Sequence, residues 1–322
     1  MKYLISGGGT GGHIFPALAI ANKIKKENPD AEILFIGASD KMEMHRVPEA
    51  GYPIEGLTIY GISRDFSWNG IKKNVKLPFV LMKAMKKAKK IIKAFQPDIA
   101  IGVGGFASGP ALKSADQLGI PTLLQEQNSY PGVTNKMLAA KAKRICVAYD
   151  GLEKYFPAEK IVKTGNPIRA EILNIKDKDP KAYQYFNFVP EKKTVLVVGG
   201  SLGARTLNET MAANLDVFRK ANIQLLWQTG EQFFRNIDSK LLAEQDEYIR
   251  IVPFIKNMND AYSIADVIIS RAGALAIAEL SIVGRPTILV PFPYAAEDHQ
   301  TYNAKALSTQ DAAILIAKPR QS

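Results

Sequence analysis

The chain has 322 residues, 47% hydrophobic and 23% charged, a composition of the globular class and long enough for two α/β domains, each with its own core. Its 42 lysines and arginines against 31 acidic residues give a formal charge of +11, which points to anionic partners (nucleic acid, anionic lipid or phosphorylated substrate) without choosing among them. One cysteine, Cys146, excludes an intrachain disulfide framework and fits a reducing compartment; no run of about 18 apolar residues exists, so a spanning helix is excluded and any membrane contact is peripheral.

The chain opens MKYLISGGG. The apolar stretch is too short for a secretory signal and runs straight into a glycine loop, so it reads as a first strand. Gly7, Gly9 and Gly12 have the literal G-x-G-x-x-G spacing, by itself a weak sign of a dinucleotide site. That fingerprint expects an acid after the second strand, and AEILFIG followed by Ala38, Ser39 and Asp40 is ambiguous there. A helix is predicted over Ile14–Asn28, with Pro16 in its first turn. His13 stands just before it, where the positive end of the helix dipole disfavours the protonated ring. A neutral imidazole suits a general base; a loop or capping histidine is the plain alternative.

Nine lysines lie between Lys72 and Lys93. Leu81, Met85, Ala88, Ile92 and Phe95 have helical spacing and predict a stripe facing the core. Phe66, Trp68, Ile71, Leu77 and Phe79 are interleaved with lysines, which suits an anionic membrane interface or a solvated helix face. DIAIGVGG, PTLLQEQ and RICVAYD continue the strands, with Cys146 a small buried residue in the last. TGNPIRAEI (Thr164–Ile172) and the polar KDKDPK precede a second set: KTVLVVGG, IQLLWQTG, DVIISRAG and PTILVPF. Strands alternating with helical patterns predict parallel sheets with right-handed crossovers. The fold class is therefore α/β, with two Rossmann-like doubly wound domains over 1–164 and 165–322. Ligands of such sheets lie beyond the carboxyl ends of the strands, and two such edges facing each other predict a cleft.

The second glycine loop, Gly199–Gly200–Ser201–Leu202–Gly203–Ala204, follows a strand and precedes a helix. Its amides and the Ser201 hydroxyl suit a phosphate; a tight turn is the alternative. The missing P-loop lysine argues against a Walker ATPase. Ser270–Leu275 closes a strand and opens a helix bearing Glu279, placed to accept from ribose hydroxyls or to sit favourably in the helix dipole. Glu297, Asp298, His299, Gln300 and Asn303 suit a hydroxyl-rich ligand such as a sugar, or a solvated loop. Asp177–Lys178–Asp179 has D-x-D form but lies in the polar stretch after the boundary, and no metal role is assigned to it.

Taken in order, GGGTGGHIFPALAIA, GGFASGPAL, QEQNSYPGVTNK, TGNPIR, GGSLGA, SRAGALAIAEL and PFPYAAEDHQTYNA resemble the MurG family of glycosyltransferases over nearly the whole chain. The resemblance implies a GT-B fold. It implies inverting transfer of N-acetylglucosamine from UDP-GlcNAc to the C4 hydroxyl of MurNAc in lipid I, which forms lipid II for peptidoglycan synthesis. It implies a peripheral enzyme of the cytoplasmic membrane face, working with UDP-GlcNAc, lipid I and an anionic surface, with no nucleic acid, cofactor or metal.

By motif position, His13 and Glu126 would serve catalysis, His13 as the base. Thr10, Gly11, Gly12 and Asn128 would close over the donor, while His13, Glu126, Asn128 and Asn135 would line the acceptor side. Arg169 and Ser201 would face the diphosphate, Ile255 would offer backbone bonds to uracil, and Ala274 and Leu275 would stand at the donor. Glu279 would hold the ribose and Gln300 the sugar hydroxyls. Phe106 stands where the family often has tyrosine. The chain stops at Ser322 where family members continue, so the second domain looks shortened. Rival readings are an NAD-dependent oxidoreductase resting on Gly7, Gly9 and Gly12, a non-catalytic nucleic-acid module, and a GT-B transferase or epimerase with another acceptor.

Overall fold

The computed structural model describes residues 1–61, 67–200, 203–295 and 298–317. They form two compact units, Met1–Ile168 and Arg169–Ser322, each a parallel sheet covered by helices.

The first unit runs β1 (Lys2–Ser6), α1 (Gly11–Glu27), β2 (Glu32–Ala38), α2 (Glu43–Glu49), β3 (Ile54–Leu57), α3 (Trp68–Phe95), β4 (Ile99–Gly102), α4 (Ser108–Gln117), β5 (Thr122–Glu126), α5 (Val133–Leu138), β6 (Arg144–Val147) and β7 (Ile161–Lys163). Its seven strands stand in the order β3-β2-β1-β4-β5-β6-β7. Successive residues of β1 feed opposite faces: Leu4 joins the core under α3 and α4, and Ile5 the core under α1. A strand buried on both faces needs the continuous apolar run seen in KYLIS. The strand order reverses between β1 and β4, which puts the loops after β1, β4 and β5 at the topological switch point where such sheets bind ligands.

Two expectations are corrected here. Helix α1 opens at Gly11 rather than Ile14, so His13 lies inside the first turn and Pro16 in the second. Gly11 and Gly12 read as loop because of their low helix propensity, yet the first amides of a helix need no partner within it. In α3 the buried positions are Ala84, Ala88 and Ile92, four residues apart, whereas Leu81 is exposed. The alanines pack closely against Ala107, Ala111 and Ala115 around α4, and Leu81 lies a turn ahead of that contact. Trp68, Val75, Phe79 and Met82 are exposed along the first half of α3; Phe66 falls outside the described residues.

The second unit runs α6 (Pro180–Phe186), β8 (Lys193–Val198), α7 (Arg205–Ala212), α8 (Leu215–Lys220), β9 (Ile223–Gln228), α9 (Glu231–Arg235), α10 (Ser239–Ala243), β10 (Ile249–Val252), α11 (Met258–Ile264), β11 (Val267–Ser270), α12 (Ala274–Val283), β12 (Thr287–Leu289), α13 (His299–Ser308) and β13 (Ile314–Leu315). The sheet order is β10-β9-β8-β11-β12-β13, all parallel. Leu196 and Val197 of β8 again point into opposite cores. The reversal lies between β8 and β11, beside the second glycine loop. Among the described residues no helix is long and apolar enough to cross a membrane.

Candidate active site

In the first unit, three loops meet at the switch point. The amides of His13 and Ile14 donate to Thr10 O at 3.1 and 3.2 Å, and the Thr10 hydroxyl lies 3.4 Å from His13 Nδ1. The imidazole rests on Gly104: a Cβ there would stand 3.0 Å from His13 Cδ2 and Nε2. Gly104 has φ +91°, so a glycine is required both by the backbone and by the ring. Gly11 and Gly12 form the helix start around His13. Phe106, half-exposed, seats its ring on Gly61.

The loop after β5 is organised by Glu126. Its carboxylate is 1% exposed and accepts from Asn128 N at 3.0 Å, Asn128 Nδ2 at 3.2 Å, Gly132 N at 3.1 Å and Asn135 Nδ2 at 2.9 Å. Burial pushes this carboxyl above the usual range, and the four donors oppose it. Four donors fill the accepting capacity of a carboxylate, so Glu126 is built as a fastening for Asn128 and Asn135. Asn135 Oδ1 is buried without a hydrogen-bond partner, 2% exposed on its residue. A buried acceptor left open costs free energy unless something binds it. Asn135 Nδ2 would lie 3.8 Å from a Cβ on Gly104, so Gly104 separates it from His13 by a short step.

In the second unit, Arg169 and Glu279 form a forked pair. Arg169 Nε and Nη2 donate to Glu279 Oε1 at 3.0 and 2.9 Å, and Nη2 reaches Oε2 at 3.0 Å. Tyr262, buried on α11, donates to Glu279 Oε2 at 3.1 Å. Burial, then the Glu279 charge, drives the Tyr262 hydroxyl far above its ordinary range, so it remains a proton donor at any working pH. Tyr262 was not singled out from the sequence. It sits 17 residues before its partner, and nothing in DAYSIAD distinguishes a core tyrosine from one that holds a carboxylate.

The other expected residues are distributed around the same sheet edge. Ala274 and Leu275 open α12 after Gly273. Ile255 is buried, its amide donating to Gln228 Oε1 at 2.9 Å, so any backbone bond it offers to a base is its carbonyl's. Ile255 also lines a hollow of about 250 Å³ with Tyr185, Arg250, Phe254 and Lys256. Gln300 Oε1 accepts from Phe292 N at 2.9 Å, which ties α13 to the end of β12. Arg271, 9% exposed, fixes that same exit through bonds to Val290 O and Pro291 O at 3.0 and 2.9 Å. Ser201 lies outside the described residues. Around it, Gly203 has φ +80° and faces Thr229 O, which would lie 2.3 Å from an added Cβ.

Family models match both units: the glycosyltransferase family 28 N-terminal domain over residues 3–147 and its C-terminal domain over residues 194–321. The chain belongs to glycosyltransferase family 28. Within the family it stands among MurG proteins. It is 54% identical over 98% of its length to a Parabacteroides distasonis protein named as the UDP-N-acetylglucosamine–N-acetylmuramyl-(pentapeptide) pyrophosphoryl-undecaprenol N-acetylglucosamine transferase, of which it covers 85%. It is 53% identical to the Cytophaga hutchinsonii protein of that name, covering 98% of this chain and 83% of the relative. Among solved structures it resembles MurG of Acinetobacter baumannii, with TM-score 0.72, 32% identity and coverage of 98% and 86% of the two chains. A UDP-GlcNAc 2-epimerase of Methanocaldococcus jannaschii shares the fold, with TM-score 0.63 and 14% identity over 98% of this chain and 89% of that one.

In this family 28 member the Asp177–Lys178–Asp179 triplet serves structure. Asp177 pairs with Arg285, Lys178 Nζ pairs with Asp266 at 3.0 Å, and Asp179 caps α6 by accepting from Lys181 N at 3.0 Å.

Proposed function

We propose that this chain transfers N-acetylglucosamine from UDP-GlcNAc to the C4 hydroxyl of MurNAc in lipid I, with inversion at the anomeric carbon. The observation that carries the reading is the 54% identity, over 98% of the chain, to a relative named for this transfer. In the first unit, His13 takes the C4 hydroxyl proton as the oxygen attacks, and Thr10 lies at hydrogen-bond distance from its ring. Asn128 and Asn135, fastened by Glu126, bind the acceptor, and the open Asn135 Oδ1 takes one of its hydroxyl or amide protons. UDP leaves from the opposite face, so a single displacement turns the α-linked donor into a β product.

The second unit takes the nucleotide. Glu279 accepts from the ribose hydroxyls. Arg169, a third exposed in its side chain, turns toward the diphosphate, where a forked guanidinium matches phosphate oxygens. The amides opening α12 and the second glycine loop with Ser201 add donors to the leaving group. Gln300 addresses the sugar. The exposed Trp68, Phe79 and Met82 beside the lysines of α3 bring the enzyme to an anionic surface on the cytoplasmic side of the membrane, where a lipid-linked acceptor resides.

Release of UDP from UDP-GlcNAc, measured with and without lipid I, tests the reading. Turnover that requires lipid I, and that falls roughly 10²–10⁴-fold in His13→Ala with donor affinity retained, is the expected outcome. Turnover indifferent to lipid I refutes the acceptor assignment, and near-normal turnover of His13→Ala removes His13 as the base.

A further inference from the structure

The first glycine loop already holds an anion, and the anion belongs to the protein. Glu43, at the start of α2, is 0% exposed. Its carboxylate accepts from Gly9 N at 3.2 and 3.0 Å and from Ala38 N at 2.9 Å. The two glycines beside it are cut to its shape. A Cβ on Gly8 would fall 2.1 Å from Glu43 Oε1, and one on Gly37 would fall 2.5 Å from Glu43 Cγ. Gly9 has φ +88°, which aims its amide out of the loop and into the carboxylate.

The contact continues toward the proposed base. Gly8 O lies against Gly105, where a Cβ would approach to 2.3 Å, and the neighbouring Gly104 carries the His13 ring. Glu43, Gly8–Gly9, Gly104–Gly105 and His13 therefore form four successive layers without a flexible side chain between the first and the last. A carboxylate bonded to backbone amides is a short, charge-assisted clamp, and an amide loop of this kind is where related sheets receive a phosphate.

We propose that Glu43 is the positioning residue of the acceptor-side site: a buried carboxylate that ties the Gly9 amide of the first glycine loop to the Ala38 amide at the end of β2 and fixes the layer on which His13 rests. The Gly9 amide is thereby taken by the protein's own carboxylate, so the G-x-G-x-x-G spacing does not offer that donor to a dinucleotide phosphate. The inference rests on the reading of His13 as the base.

The test compares Glu43→Gln, Glu43→Asp and Glu43→Ala with His13→Ala in the full chain, each checked for folding by circular dichroism and thermal unfolding. Glu43→Gln keeps the shape but replaces the oxygen that accepts from Gly9 N at 3.0 Å by an amide NH2 facing that N–H. Its expected effect is a kcat lower by about 10–100-fold, the scale of a misplacement of about 1 Å, with KM for UDP-GlcNAc changed less than about twofold. Glu43→Asp keeps the charge and retains part of the loss-free rate. Added formate enters the vacated space of Glu43→Ala and raises its kcat, while leaving His13→Ala unchanged. A folded Glu43→Gln enzyme with near wild-type kcat overturns the proposal, as does a rise in donor KM with kcat unaltered. If His13→Ala itself turns over normally, the base assignment falls, and the Glu43→Gln kcat still decides whether the clamp matters.

Discussion

Replacing Tyr262 by phenylalanine removes one oxygen from the middle of the second unit and leaves the ring in its core. The lost group is a hydroxyl donating to Glu279 Oε2 at 3.1 Å from a residue 3% exposed. A hydrogen bond to a charged group is worth about 1.5–3 kcal/mol. Arg169 still holds Glu279 through three contacts, so the carboxylate is not orphaned and the lower end applies, about 1.5 kcal/mol. For a unit of this size that corresponds to roughly 3–6 °C in Tm. Glu279 Oε2 also loses its second donor and keeps only Arg169 Nη2, so UDP-GlcNAc affinity should fall by about 3–10-fold, or ~1 kcal/mol. Calorimetry measures both, as the unfolding transition of the second unit and as donor titration. A Tyr262→Phe protein whose Tm and donor affinity both match the wild type would refute the claim that this hydroxyl orients Glu279.

Donor titration in EDTA should give the same affinity as titration with magnesium, because Arg169 and helix-start amides are the groups proposed at the diphosphate; strict dependence on a divalent ion in the calorimeter would contradict this. Reversing Lys83, Lys86 and Lys90 to glutamate should abolish co-sedimentation with anionic vesicles and spare donor affinity. Wild-type binding should weaken from 0.1 to 1 M salt as the Debye length falls from about 10 to about 3 Å, and equal binding to neutral vesicles would show α3 misread. Asp266 supplies a pH test. Burial alone would raise its carboxyl, but Thr194 N–H, Lys178 and Lys193 outweigh it and hold it below the usual carboxylate range. Stability from a depressed carboxyl is present above the unfolded value, about 3.9, and is lost as pH falls through the folded one. Asp266→Asn should therefore lower Tm at neutral pH by a margin that narrows below about pH 4; a margin constant with pH would refute it.

The strands recognisable in the sequence were the inner ones. KYLIS, AEILFIG, DIAIG, PTLLQE, RICV, KTVLVV, IQLLWQ, DVIIS and PTIL all lie in strands. Those without a sequence signal, β3, β7, β10 and β13, are the four sheet edges. An edge strand is paired on one side and kept short, so IVK or IL carries no apolar run to see. Motif order made His13, Arg169, Glu279 and the Asn128–Asn135 segment legible as candidate site residues. Contacts across sequence were not legible: Glu43 meets Gly9 from 34 residues away, and Gln228 meets Ile255 from 27. DKMEMHR contains four charged residues around the start of a helix, and only the fold reveals that Glu43 alone turns inward. The α3 stripe was mistaken at Leu81 because periodicity gives a face, while the length of the contact depends on where α4 ends.

The placement of β1 has a consequence for the newborn chain. This strand is made first, yet it pairs with β2 from residue 32 and with β4 from residue 99. The centre of the first sheet thus waits with one flank open until roughly a hundred residues have emerged, several seconds at a ribosomal pace of about 5–20 residues per second. Parallel pairings of such long separation form slowly, and KYLIS is an apolar edge throughout that interval. Once β7 is added, every strand of the first sheet has its neighbours while the second unit is still unmade. The order of synthesis therefore completes the His13 side before the Glu279 side exists, and a substitution that weakens β4 should cost soluble yield more than its effect on the finished enzyme suggests.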